Sequence, residues 1–297
     1  MNRFIYNWVF LFCVLVAGCD SMFDKELPPH NLVGENAITN ESSAEVALNG
    51  IYSYLTAYGT MSAYYISDNE YRTGLLDSAY RTDFEINGLL KFELNDENSY
   101  VSAPWQLVYK MVNAANNFIY NVERLSESKF GQNRKTEMLA EAKFTRAFAH
   151  AFLLRRYGYF WDINSVYGPI VRMEPSALSN NNQGRSSVKE SYEKIFEDLD
   201  YAIKYGPVFY SKYRACATTA KAFKADLLMN RGAEGDYEEA IRLADEVIGS
   251  SEFGLETKYG DVFTNGYNSK ELMFTRHLKS VPTMNANVGS LLKLFGG

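Results

Sequence analysis

The chain has 297 residues, 46% of them hydrophobic, which is enough for one large domain or two small ones with a sizeable core. Its formal net charge is −6 and no basic block occurs, which argues against nucleic acid as a partner. The 22 Tyr and 19 Phe, against 3 Trp, exceed what a helical core needs, so some are expected to face a ligand.

The chain opens with one positive charge, Arg3, and an apolar run from Trp8 to Ala17. A membrane-spanning helix needs about 20 apolar residues. This run is shorter, and Asp20, Asp24, Lys25 and Glu26 follow it directly. A positive start, a short apolar middle and small residues before a cut are the marks of a secretory signal. The run ends in LVAGCD, which resembles the lipobox of bacterial lipoproteins. That resemblance implies a signal peptide over 1–18, removed before Cys19, and lipid on the Cys19 thiol and its new amine. Several acyl chains, at about 0.8 kcal/mol per buried CH₂, make a stable anchor. A plain signal peptide with a coincidental Cys is the alternative. Residues 19–40 then read as a lipidated N-terminus and extended tether, and 41–297 as a helical domain. Cys13 leaves with the signal and Cys19 takes lipid, so Cys216 has no disulfide partner and is expected as a small buried residue at a helix start.

Ser42 and Ser43 before Glu45 suggest a capping-box start, and Val46, Leu48, Ile51, Tyr54 and Leu55 continue an apolar face to about Tyr58. From Met61 to Tyr100 the pattern is irregular and predicts a long structured loop with short elements, of the kind that usually carries function. Pro104 suits the first turn of a helix whose stripe is Trp105, Val108, Val112, Ala115, Ile119 and Val122. After Gly131, Met138, Ala142, Thr145, Ala149 and Phe152 line one helix face and Phe144, Phe148 and Ala151 a second, so this helix is expected between neighbours, ending at Gly158. A third such helix starts near Ser186-Ser187 and runs through Tyr192, Ile195, Phe196, Leu199, Ala202 and Ile203 to Gly206-Pro207. Ala217, Ala220, Phe223 and Leu227 mark a fourth. Gly235-Asp236-Tyr237 opens a fifth with Ala240, Ile241, Ala244, Val247 and Ile248 inside. The run GDYEEAIRLADEVI looks like part of a tetratricopeptide helix pair. The fold class expected is all-α, with tetratricopeptide-like helix pairs and long irregular loops.

These pieces occur in an order that resembles the SusD/RagB family of outer-membrane lipoproteins. WQLVYKMVNAANNFI resembles its W-x-x-x-Y…N-x-x-N segment, and AEAKFTRAFAHAFLLRRYG its E-A-x-F-x-R-A…YG segment. SSVKESYEKIFEDLDYAI, TTAKAFKADLLMNRG, the GDYEEAI run and KELMFT then follow in the family's order, behind the lipobox and NGIYSYL. No single motif is specific, but the ordered set, from Cys19 to about Thr275, is. Two departures stand out. Tyr157-Gly158 is followed by YFWDINSV before Tyr167-Gly168-Pro169, where family members have a compact Y-G-x-x-P. The chain also stops soon after Lys279, at LLKLFGG, which resembles a member truncated at its C-terminus or an unusually short one.

Residue chemistry singles out no catalytic set, although plentiful carboxylates leave a glycosidase pair open. There is no H-E-x-x-H, no Gly-rich phosphate loop and no C-x-x-C, and the histidines are His30 in the tether, His150 in an apolar helix and His277. His150 reads as a satisfied core residue, and Asn95-Asp96-Glu97-Asn98 as a solvated turn without calcium-loop spacing. No catalytic residue, metal or cofactor is expected. Glycans instead need flat aromatic rings for their C–H faces and planar amides, carboxylates or guanidinium groups for their hydroxyls, presented on loops. Tyr159, Phe160, Trp161, Asp162 and Asn164 form one candidate set, and Asp68, Asn69, Tyr71, Arg72, Tyr80 and Arg81 another, which the family resemblance favours. Trp105 and Tyr109 are assigned to core. The resemblance implies a lipoprotein on the outer membrane, facing the cell exterior, that captures oligosaccharide and passes it to a SusC-like TonB-dependent transporter. A helical-repeat scaffold that binds only protein, and a glycoside hydrolase, are the rival readings.

Overall fold

The computed structural model describes residues 37–56, 70–71, 73–74 and 84–275, and its elements belong to one compact unit, Ile38–Gly297. Those residues are mainly helical, with no strand among them. Helix α1, Glu41–Ser53, starts earlier than expected. Asn40 caps it, accepting from the Ser43 N–H at 3.0 Å, while the Ser43 hydroxyl accepts the Asn40 N–H at 3.1 Å. The capping box is therefore Asn40 with Ser43, and Glu45 is released for ion pairing. Its buried face is Ala44, Leu48, Ile51 and Tyr52, and Val46, expected on that face, points outward at 71% exposure. Within the irregular stretch lies a short helix α2, Phe84–Lys91.

Helix α3, Ser99–Arg124, also begins before its expected start, capped by Asn98, so Pro104 sits inside it. A proline there removes one helical hydrogen bond. The carbonyl of Tyr100, which the missing N–H would have met, instead accepts from the Arg156 guanidinium at 2.7 Å, and the next carbonyl, of Val101, accepts from the Tyr157 hydroxyl at 2.7 Å. Both donors come from the end of α4, Arg134–Tyr157, so the proline break is filled by a tertiary contact.

Helix α4 packs between α3 and α5, Val188–Tyr205, and is buried on almost every side, as its two apolar faces predict. Ser187 caps α5 by accepting the Glu190 N–H at 3.1 Å. Helix α6, Ala217–Arg231, starts at Cys216, whose buried Sγ accepts the Thr219 N–H at 3.4 Å. It stops at Gly232, where a φ of +60° suits a residue without Cβ. Helix α7, Asp236–Ile248, packs on α6. Phe144, Leu154, Tyr192, Ile195, Leu199, Leu227 and Leu243 share one core across α4 to α7. Ala240 and Leu243 form the buried line of α7, whereas Ile241 (62% exposed) and Ile248 (78% exposed) face out, contrary to expectation. A helix whose main neighbour lies on one side buries only a narrow stripe, and Ile241 falls about 100° round from Ala240.

Two charge clusters cross-link these helices. Arg146 on α4 holds Asp198 on α5 through two bonds of 2.8 and 2.7 Å and also donates to Asn116 Oδ1 (2.8 Å) and the Met173 carbonyl (3.0 Å). Glu141, fully buried, accepts from Arg214 at 2.6 Å, Arg134 at 3.3 Å and the Tyr52 hydroxyl at 3.0 Å. Arg134 and Arg214 also reach Glu45, at 2.6 and 2.8 Å. Burial opposes the charge on Glu45, but the Arg134 hydrogen bond and the two guanidinium charges hold its carboxyl below the usual range. The E-A-x-F-x-R-A pattern of α4 thus spaces two buried charges, Glu141 and Arg146, so that each meets a partner on a different neighbour.

Candidate functional site

The candidate surface is built from the segment between α4 and α5, residues 158–187. Its part from Pro169 to Ser176 has no regular secondary structure and is pinned to α3 by side chains spaced along that helix. The Tyr109 hydroxyl donates to the Ile170 carbonyl (3.0 Å) and accepts the Ile170 N–H (2.9 Å). Asn116 donates to the carbonyls of Arg172 and Glu174 (3.0 and 2.9 Å), and Asn113 Oδ1 accepts the Ser176 N–H (2.9 Å). Burial pushes the Tyr109 hydroxyl up to about 12, so it stays a neutral donor. From the other side, His150 Nε2 accepts the Arg172 N–H at 3.2 Å. Burial, helped by the positive charge of Arg146, lowers His150 to about 3, so its ring is neutral and Nε2 is free to accept. The ring expected to be satisfied is satisfied on one side alone, because its buried Nδ1 has no hydrogen-bond partner among the described residues.

Before the pinned stretch, the chain makes a tight knot at Gly168. A Cβ there would lie 2.5 Å from Ser191 Oγ, 2.7 Å from the Ser186 carbonyl and 2.8 Å from the Ser187 carbonyl, so only glycine fits without displacement. The knot is closed by Gly168 N–H to Ser186 (3.0 Å) and Tyr159 N–H to the Tyr167 carbonyl (3.0 Å). The buried Tyr192 hydroxyl fixes the Phe160 carbonyl at 3.0 Å. On this base Tyr159 and Trp161 stack at 5.3 Å and 17°, with Tyr167 beside Tyr159 at 5.4 Å. Trp161 is 63% exposed. Asp162 accepts the Asn164 N–H at 3.0 Å, and both side chains are exposed next to the rings. Arg185 braces the knot by donating to the Gly168 carbonyl at 2.7 Å and places its guanidinium 6.0 Å from the Tyr167 ring.

The structure exposes Tyr159, Trp161, Asp162 and Asn164, packs Phe160 of the same set against the core, and adds Tyr167 and Arg185, which sequence reasoning missed. The Tyr-Gly-Pro that follows the extra segment was the available signal. Of the second candidate set, Tyr71 is buried at 6% exposure and offers a saccharide little surface. Asp68, Asn69, Arg72, Tyr80 and Arg81 lie outside the described residues, as does Cys19. Trp105 and Tyr109, expected in the core, are half-buried and line an open cleft of about 420 Å³ with Gln106, Lys110, Asn113, Ile170, Arg172, Ser176 and Asn181. The core line of α3 runs instead through Val108, Val112 and Ala115. Trp105, Tyr109 and Asn113, at four-residue steps, form a separate line that turns polar, which is the signal for a second face.

A SusD-like family model described as "Starch-binding associating with outer membrane" matches residues 33–227, more than half of the chain. A SusD-like protein of Bacteroides ovatus is 26% identical over 273 residues, covering 88% of this chain and 47% of that protein. Among solved structures, a SusD superfamily protein from Bacteroides thetaiotaomicron superposes with a TM-score of 0.68 at 20% identity, covering 88% of this chain and 55% of that one. A laminarin binding SusD-like protein superposes with a TM-score of 0.64 at 20% identity, covering 80% of this chain and 51% of that one. The chain thus spans about half the length of these relatives. With the family model covering the helices that carry the knot, the pinned segment and the buried Glu141 and Arg146, this chain belongs to the SusD-like family.

Proposed function

We propose that this protein is a cell-surface glycan-binding lipoprotein, anchored to the outer membrane through Cys19, that captures saccharide and delivers it to a SusC-like TonB-dependent transporter, without chemistry on the sugar. The observation that carries the reading is the exposed stacked pair Tyr159–Trp161, held rigid from below by Tyr192 and flanked by Asp162 and Asn164. Rings fixed before the ligand arrives stack on sugar C–H faces at little ordering cost, and the adjacent carboxylate and amide suit hydroxyls. The description of the family as starch-binding, and of one solved relative as laminarin binding, supports the ligand class. The outer face of α7, with Tyr237, Ile241 and Ile248 exposed, supports a protein contact and suits the transporter. Lipid on Cys19 would confine the protein to the membrane surface and raise its local concentration near such a partner.

The test is calorimetry of the full chain, in detergent, against starch oligosaccharides, laminarin and other neutral glycans. Trp161→Ala should weaken binding about fivefold or more, since a stacked ring contributes on the order of 1 kcal/mol beyond its buried area. Unchanged affinity removes the platform from the site. The apolar face of α7 also fits a scaffold that binds only protein, and that reading predicts no affinity for any glycan. Release of reducing sugar from a bound glycan would instead favour a hydrolase.

A further inference from the structure

We propose that the cleft between α3 and the pinned segment is a second saccharide site, selective for a sugar unit bearing an anionic group, either carboxylate or sulfate. The inference rests on the glycan-capture reading and extends it to a place that shares no residue with the Tyr159–Trp161 platform. At about 420 Å³ the cleft falls in the size range of small-molecule sites and has room for a short saccharide. Its aromatic floor is held in place. Trp105 meets Tyr109 edge-on at 4.8 Å and Tyr157 edge-on at 5.1 Å, so the indole plane is set by neighbours that are themselves hydrogen-bonded to backbone.

The polar wall is fixed too. The Arg172 backbone is clamped on both sides, its N–H by His150 and its carbonyl by Asn116. Its guanidinium donates to the carbonyls of Asn180 (3.0 Å) and Asn181 (2.9 Å), which orient the charge without neutralising it. Lys110, one turn past Gln106 on the exposed side of α3, lines the same cleft and has no ion-pair partner among the described residues. Asn113 spends its carbonyl on Ser176, which leaves its NH₂ as a donor. On a chain with 36 acidic and 30 basic residues, two cations thus converge on a cleft whose described lining contains no carboxylate. A neutral sugar would use the ring and the amide alone. An anionic one would also meet Lys110 and Arg172 through charge-assisted hydrogen bonds, which are stronger than neutral ones.

The experiment is calorimetry of the full chain with three probes of matched length: an oligogalacturonate, a sulfated galacto-oligosaccharide and a neutral galacto-oligosaccharide. Wild type, Lys110→Gln and Trp161→Ala are compared. At least one anionic probe should bind, more weakly as salt rises, and Lys110→Gln should weaken it roughly tenfold while leaving the affinity for the neutral probe unchanged. Which anionic probe binds identifies the charged group. Lys110 is exposed, so circular dichroism should show Lys110→Gln folded as wild type. Failure of both anionic probes to bind, or an anionic affinity indifferent to Lys110→Gln, overturns the cleft site. If neutral glycans still bind through Trp161 in that case, the capture reading stands without it. If no glycan of any charge binds, the capture reading falls as well.

Discussion

Replacing Arg146 with Met should be among the most damaging single changes in this chain, and its partner change should undo part of it. Arg146 and Asp198 are 4% and 2% exposed. The guanidinium makes two bonds to the carboxylate, at 2.8 and 2.7 Å, plus one to Asn116 and one to Met173. Met fills the stem's volume but leaves the buried Asp198 carboxyl, which burial already pushes up, without its cation, so it must stay charged unpaired or take up a proton. Breaking a buried pair in this way costs about 3–5 kcal/mol, whereas replacing both partners by apolar residues is close to neutral. Arg146→Met/Asp198→Leu should therefore recover the part of the loss that belongs to the ion pair, while the unpaired Asn116 and Met173 oxygens still cost about 1–3 kcal/mol each. Urea unfolding of the full chain, followed by circular dichroism at 222 nm, reads this directly. With a slope of about 2–3 kcal/mol/M, the single variant's midpoint falls by roughly 1–2 M. If the double variant is as unstable as the single one, the energy resides in the Asn116 and Met173 bonds and not in the ion pair. A single-variant loss under about 1 kcal/mol would refute the burial argument altogether.

Three further outcomes are expected. His150 is held neutral in the fold with its pKa lowered to about 3, while the unfolded chain protonates it near 6.5, so its contribution to stability is complete above pH 6.5 and is lost as pH falls toward 3. His150→Gln should flatten the loss of stability between pH 6.5 and 4 relative to wild type, and parallel curves would contradict this. Gly168→Ala should destabilise by about 1–3 kcal/mol, because its Cβ meets two carbonyls and a hydroxyl inside 3 Å, and should weaken glycan binding by disturbing the Tyr159–Trp161 base; a variant with unchanged melting temperature would show that the knot is loose. Fatty-acid labelling should mark wild type and not Cys19→Ala, and equal labelling of the two would remove the lipid anchor.

Helix existence and helix ends were legible from sequence wherever the signal is local. The apolar period of α4 and α5, the Ser187 cap, the stops at Gly158 and Gly206, and the buried Cys216 depend on residues within a turn or two of one another. The order of those segments was also enough to recognise the family. Tertiary structure decided the rest, because it depends on which partner arrives from far along the chain. Pro104 reads locally as a helix start, yet α3 runs through it, with Arg156 meeting the Tyr100 carbonyl that the proline frees and Tyr157 the Val101 carbonyl beside it, both from 56 residues away. Ile241 and Ile248 satisfy a helical pattern, but only a neighbour can bury them, and α6 covers one narrow side. Trp105 and Tyr109 look like core by spacing alone. They became the floor of a cleft because Tyr109, Asn113 and Asn116 hold the 169–176 segment against α3, leaving a gap that Lys110 and Arg172 share. Periodicity tells a helix which residues lie on one face, and the packing of distant segments determines whether that face meets core, partner or solvent.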